Sequence, residues 1–107
     1  MERLTSKQRA YLRSLAQRLR PVVFVGKEGI SDAVVQAASE ALAAHELIKI
    51  RVLRGSPLAA SAAIAALAAR LPGAHAVQAI GHVGVLYRPH PERPTIVLPP
   101  PRPGPNQ

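Results

Sequence analysis

The chain predicts an α/β fold of the α+β type: one domain, elements in the order αβαβαββ, and a mixed four-stranded sheet packed with helices. Three features point there. Pro21 to Ser31, PVVFVGKEGIS, carries four apolar residues into two glycines and then a helix-capping serine. LIKIRVL at 47–53 alternates as a strand does, between two helical patterns. HAVQAI at 75–80 and VGVLYR at 83–88 flank Gly81-His82, a two-residue Gly-X loop that suits a type II′ hairpin.

The elements follow in order. Residues 5–19 read as a helix, with Leu12, Leu15, Ala16 and Leu19 on one apolar face beside Tyr11. Thr5 or Ser6 caps it and Pro21 stops it. Val22 to Val25, a continuous apolar run, reads as a buried strand. Gly26 to Gly29 form a tight loop, since both glycines reach positive φ freely. Ser31 and Asp32 open a second helix to about Ala44, facing the core with Ile30, Val34, Ala38, Ala41 and Leu42. In the strand that follows, Ile48, Ile50 and Val52 point to one face, Lys49 and Arg51 to a wetter one. Ser56 and Pro57, as N-cap and first helical residue, open a third helix to about Leu71, ended by Pro72-Gly73. Two strand–helix–strand crossovers imply parallel neighbours, and the hairpin adds an antiparallel pair. Thr95 to Leu98 allow a short extra edge strand, because flanking prolines are tolerated only at edges. The division expected is a domain over 1–98 and a proline-rich flexible tail over 99–107.

Composition narrows the function. The 107 residues hold 14 Lys+Arg against 6 Asp+Glu, a net charge of +8, with no cysteine. Thiol chemistry and zinc ribbons are excluded, and a polyanionic partner is implied. The longest apolar tract, 58–69, is too short to span a bilayer, and MERLTSKQRAYLR lacks the apolar core of a signal peptide. The expected location is cytoplasmic. Arg3, Lys7, Arg9, Arg13, Arg18 and Arg20 precede Pro21 against a single acid, Glu2. A face of one sign suits phosphate better than it suits plain solvation. The glycine loop opens onto a helix N-terminus, whose free amides attract anions.

Catalysis is not expected. His45, His75, His82 and His90 show no ligand spacing and no paired nucleophile, and GKEG lacks the length and trailing Lys-Ser/Thr of a P-loop. No cofactor or metal is expected. A KH domain is disfavoured, because its GxxG loop joins two helices whereas this one follows a strand. Tyr11 and Phe24 are expected in the core, so stacking on aromatics is mostly unavailable. For a nucleic-acid partner, recognition of backbone and folded shape with little sequence preference is the expectation.

The runs RLRPVVFVGKEGISDAVV, AHELIKIRVL and VQAIGHVGVLYRP resemble the YhbY-like proteins, the stand-alone bacterial form of the CRM domain (chloroplast RNA splicing and ribosome maturation). The resemblance runs from about Leu4 to Leu98. It implies an RNA-binding domain similar to the C-terminal domain of a bacterial translation initiation factor. It also implies association with ribosomal RNA or pre-ribosomal large-subunit particles and a part in ribosome assembly. By this resemblance the RNA-contacting loop maps onto Gly26, Lys27, Glu28 and Gly29, beside basic residues of the first helix. Glu28 departs from family loops, which are usually neutral or basic between the glycines. Lys7, Arg9, Arg13, Arg20, Lys49, Arg51 and Arg88 are the candidates to extend the contact. The alternative is a small basic protein-interaction or phosphate-ligand-binding module without RNA function. A monomer is expected.

Overall fold

The structure is a computed structural model describing residues 3–100. Its elements are α1 (Ser6–Ala16), β1 (Pro21–Val25), α2 (Asp32–His45), β2 (Leu47–Val52), α3 (Ala60–Arg70), β3 (His75–Ile80) and β4 (Val83–Tyr87). The four strands form one mixed sheet in the order β1-β2-β4-β3, with β1 and β2 parallel and the other pairs antiparallel. This is the αβαβαββ order and the mixed sheet that the patterns predict. Of the proline-rich tail expected over 99–107, residues 101–107 lie outside the described residues.

Helices α2 and α3 cover one sheet face. Leu42, Ile48, Ile50, Leu67 and Leu86 are fully buried there. Gly84 is the point of closest approach: a Cβ on it would lie 2.3 Å from Ile64 Cγ2. A glycine in this central strand lets α3 settle onto the sheet. The other face is covered by α1, which the pattern alone does not position. Leu12 and Ala16 pack there on Leu47, Val77, Val85 and Tyr87. Thr5 and Gln8 cap α1 reciprocally, each side chain bonding the other's backbone N–H at 3.1 Å.

Several expectations are corrected. The first helix closes at Ala16 rather than 19, and the chain leaves it through a tighter turn in which Leu19 N–H bonds the Ala16 carbonyl at 3.0 Å. The third helix starts at Ala60, not Ser56-Pro57. Ser56 Oγ accepts from Leu58 N–H two residues on, a local turn that competes with capping. The second crossover does not produce parallel neighbours, since β4 lies between β2 and β3.

Residues 95–98 form no strand. Their backbone is taken up by Glu46, a buried acid at the end of α2 with φ 61°. Its carboxylate accepts from His90 N–H at 2.7 Å, Thr95 N–H at 3.0 Å, Thr95 Oγ1 at 2.6 Å and Ile96 N–H at 2.9 Å. Ile96 and Leu98 thereby close over the α1 core, and Gln8 Nε2 donates to the Pro99 carbonyl at 3.0 Å.

Candidate nucleic-acid interface

The parallel strands β1 and β2 end at the same side of the sheet. Leu53 N–H still bonds the Val25 carbonyl at 2.8 Å, and Val52 N–H reaches the His82 carbonyl at 2.8 Å. The glycine loop, the 53–57 loop and the hairpin turn are therefore neighbours along one edge, where α/β proteins bind ligands.

In the glycine loop, Gly29 has φ 67°, and a Cβ there would lie 3.3 Å from Pro57. Glycine is required for both reasons. Gly29 N–H bonds the Gly26 carbonyl at 3.0 Å, so that amide is engaged within the turn. Lys27 and Glu28 are exposed at the tip, and Gly29 is buried. A Cβ on Gly55 would lie 3.6 Å from Lys27 Cβ, which brings the second loop, with exposed Arg54, alongside Lys27. Ser31 Oγ accepts from Val34 N–H, capping α2. Asp32, in the first turn, pairs with Arg70 at 3.0 Å.

The other candidates divide by face. Lys49 and Arg51 stand on the α1 side of β2, and Arg13 lines a cleft of about 370 Å³ with Lys49, Gln17, Gln78 and Val83. Lys7 is exposed on the first turn of α1. Arg9 is built into the fold: its Nη1 donates to the carbonyls of Ala76 at 2.7 Å and Val77 at 3.1 Å, where the β3–β4 register shifts. Arg88 points to the opposite face and donates to the Ser39 carbonyl at 2.8 Å. Arg20 lies at the far end of β1 from the glycine loop. The structure thus gathers Arg13, Lys49 and Arg51 on one sheet face, with Lys27 at the strand ends. It sets Arg20 and Arg88 apart.

Sequence reasoning missed three residues here. Arg54 stands exposed in the 53–57 loop and belongs to no motif of the sequence. Glu46 stands where a helix end would take a glycine, and that missing glycine was its only trace in the sequence. Phe24 and Tyr11, both expected in the core, are exposed instead. Phe24 is 50 % exposed, as is Val22, because no helix covers that side of β1. Tyr11 lies 39 % exposed on the flank of α1, while Tyr87 is the buried aromatic. The run at 22–25 is buried on one face only.

Tyr87 stacks with His75 at 6.1 Å between ring centroids. Burial, and then the charge of Arg9, hold the His75 imidazole below its ordinary pKa. Burial and the Glu46 charge push the Tyr87 hydroxyl up. Among the described residues no cluster of His, Asp or Glu could hold a metal ion, and no helix is long and apolar enough to cross a membrane.

Fold and face together define a small basic α/β module, with one sheet face closed and the other half open and lined by cations. The chain belongs to the CRS1/YhbY (CRM) domain family, whose model matches residues 4–88. It is 40% identical over 92 residues to an "RNA-binding protein" of Haemophilus influenzae, covering 86% of this chain and 92% of that one. It is 40% identical over 96 residues to "Probable RNA-binding protein YqeI" of Bacillus subtilis, covering 90% and 99%. The solution structure of the hypothetical protein SAV1595 from Staphylococcus aureus superposes with a TM-score of 0.68 at 36% identity, over 91% of this chain and 100% of that one.

Proposed function

We propose that this chain is a non-catalytic, cytoplasmic RNA-binding protein that associates with ribosomal RNA or pre-ribosomal large-subunit particles and assists their assembly. The observation that carries the reading is the cation track from Arg13 through Lys49 and Arg51 to Lys27 and Arg54. Three acids of the described residues are engaged elsewhere. Glu46 is buried in a hydrogen-bonded site, Asp32 is paired with Arg70, and Glu40 lies on α2 bonded to Gln36. Glu28 sits beside the track, next to Lys27. The names of the relatives, which describe RNA binders, support the same reading.

The RNA backbone lies across the α1 side of the sheet and reaches the GxxG loop, Gly26 to Gly29, at the strand ends. Lys7 extends the track outward along α1. If about five phosphates are engaged at a slope near −0.7 each, affinity falls roughly a hundredfold between 50 and 200 mM salt.

The test is the double reversal Lys27→Glu with Lys49→Glu. Arg9 is left alone, since its reversal would unseat β3. Binding to ribosomal RNA fragments and co-sedimentation with large-subunit precursors should both collapse, with the melting curve preserved. Unchanged co-sedimentation would favour a protein-interaction module instead.

A further inference from the structure

The half of the sheet that α1 leaves open is organised as a rung. Ile80, Val83, Arg51 and Phe24 are successive partners across β3, β4, β2 and β1, so their side chains rise from one face. With strands about 4.8 Å apart, the rung spans roughly 14 Å. Ile80 is 68 % exposed and Phe24 50 % exposed, with the exposed Arg51 between β4 and β1. The next rung is Gln78, Val85, Lys49 and Pro21, and α1 overhangs it with Arg13 and Gln17.

An aromatic ring half open to water beside a guanidinium is costly to leave bare and suits a planar, negatively tethered guest. A nucleobase is apolar on its faces, polar at its edge and joined to phosphates, and it matches each part. The ring gives it a stacking surface, Arg51 and Lys49 its phosphate contacts, and Gln17 and Gln78 line the adjacent cleft as amides able to meet a base edge. Acidic side chains are absent from both rungs, which disfavours a basic peptide on the same face.

We propose that the open rung centred on Phe24 and Arg51 is a stacking platform for an unpaired nucleotide of the bound RNA. This rests on the RNA-binding reading above and adds to it a preference for single-stranded over duplex segments. Bases in a duplex are stacked on one another and cannot reach the ring.

The test compares Phe24→Ala and Phe24→Tyr with wild type, by fluorescence anisotropy at fixed salt. The probes are a 12-nucleotide single-stranded RNA and a blunt RNA duplex of the same length. Phe24→Ala should weaken single-strand binding about tenfold, with duplex affinity and salt dependence unchanged, and Phe24→Tyr should bind as wild type. Phe24 is the sole phenylalanine. Its selectively labelled ring protons should therefore move upfield on adding the single strand. Equal binding by wild type and Phe24→Ala, or equal loss on both probes, overturns the platform while leaving the RNA-binding reading intact. Failure of wild type to bind either probe overturns both. A wild-type dimer that Phe24→Ala converts to a monomer, with RNA affinity unchanged, assigns the rung to a second copy of the chain and also refutes the platform.

Discussion

Replacing Glu46 by glutamine tests how the C-terminal segment is held. Burial alone would raise the carboxyl pKa, but the donors from His90, Thr95 and Ile96 overcome it and bring the group from 4.5 down to about 2. At 1.36 kcal/mol per pKa unit, that difference is worth about 3 kcal/mol of folding free energy at neutral pH. A glutamine keeps one acceptor oxygen but turns an amide toward donors, so Glu46→Gln should lose about 2–3 kcal/mol at pH 7. For a domain of this size, Tm should fall roughly 10–20 °C. Because the folded pKa is depressed, the contribution is complete above pH 4.5 and disappears as pH falls toward 2. Urea unfolding at a series of pH values should show the wild-type and Glu46→Gln stabilities converging by about pH 2. A gap of equal size at pH 7 and pH 2.5, or no gap at pH 7, would refute the carboxylate clamp.

Three further substitutions have expected outcomes. Gly84→Ala should destabilise by about 1–3 kcal/mol in chemical denaturation, since the new Cβ forces Ile64 and α3 off the sheet. Gly29→Ala should cost about 1–2 kcal/mol, from φ 67° and the contact with Pro57, and a thermal melt measures it. Arg9→Met should lose about 1–3 kcal/mol in urea unfolding, because two backbone carbonyls lose their partner. In the same variant the His75 midpoint, followed by NMR, should rise toward its ordinary value. In wild type that depressed imidazole costs stability as pH falls below about 6.5, where the unfolded chain takes up the proton first.

Local chemistry made most of the fold readable. Ser31 caps α2, Gly81 turns the hairpin at φ 58°, and the alternation in β2 assigns Ile50 and Lys49 to opposite faces. What could not be read depended on partners distant in sequence. Nothing in the apolar run at 22–25 says that β1 lies at an edge with one face uncovered, so Phe24 looked like core. Ser56-Pro57 is a sound helix opening by itself, but the Ser56 hydroxyl is taken by a local turn to Leu58 and Pro57 lies beside Gly29, a neighbour the local sequence does not reveal. The candidate site was legible as charge but not as direction. Arg9 and Arg13 lie one helical turn apart, yet one pins a bulge in β3 while the other faces the open cleft. Glu46 looked like any surface acid until the segment it binds was folded over it.

The packing of α1 also bears on how the chain is made. Leu47 follows Leu12 by about 35 positions, and Val77, Val85, Tyr87, Ile96 and Leu98, which complete its cover, follow it by about 65 to 86. At 5–20 residues per second, a ribosome takes roughly 3–17 seconds to supply them. An isolated segment of 11 residues holds little helix in water over that interval. The apolar face of α1 thus gains most of its cover only once β3, β4 and the 95–98 segment have been made, while its cationic face can meet a polyanion before then.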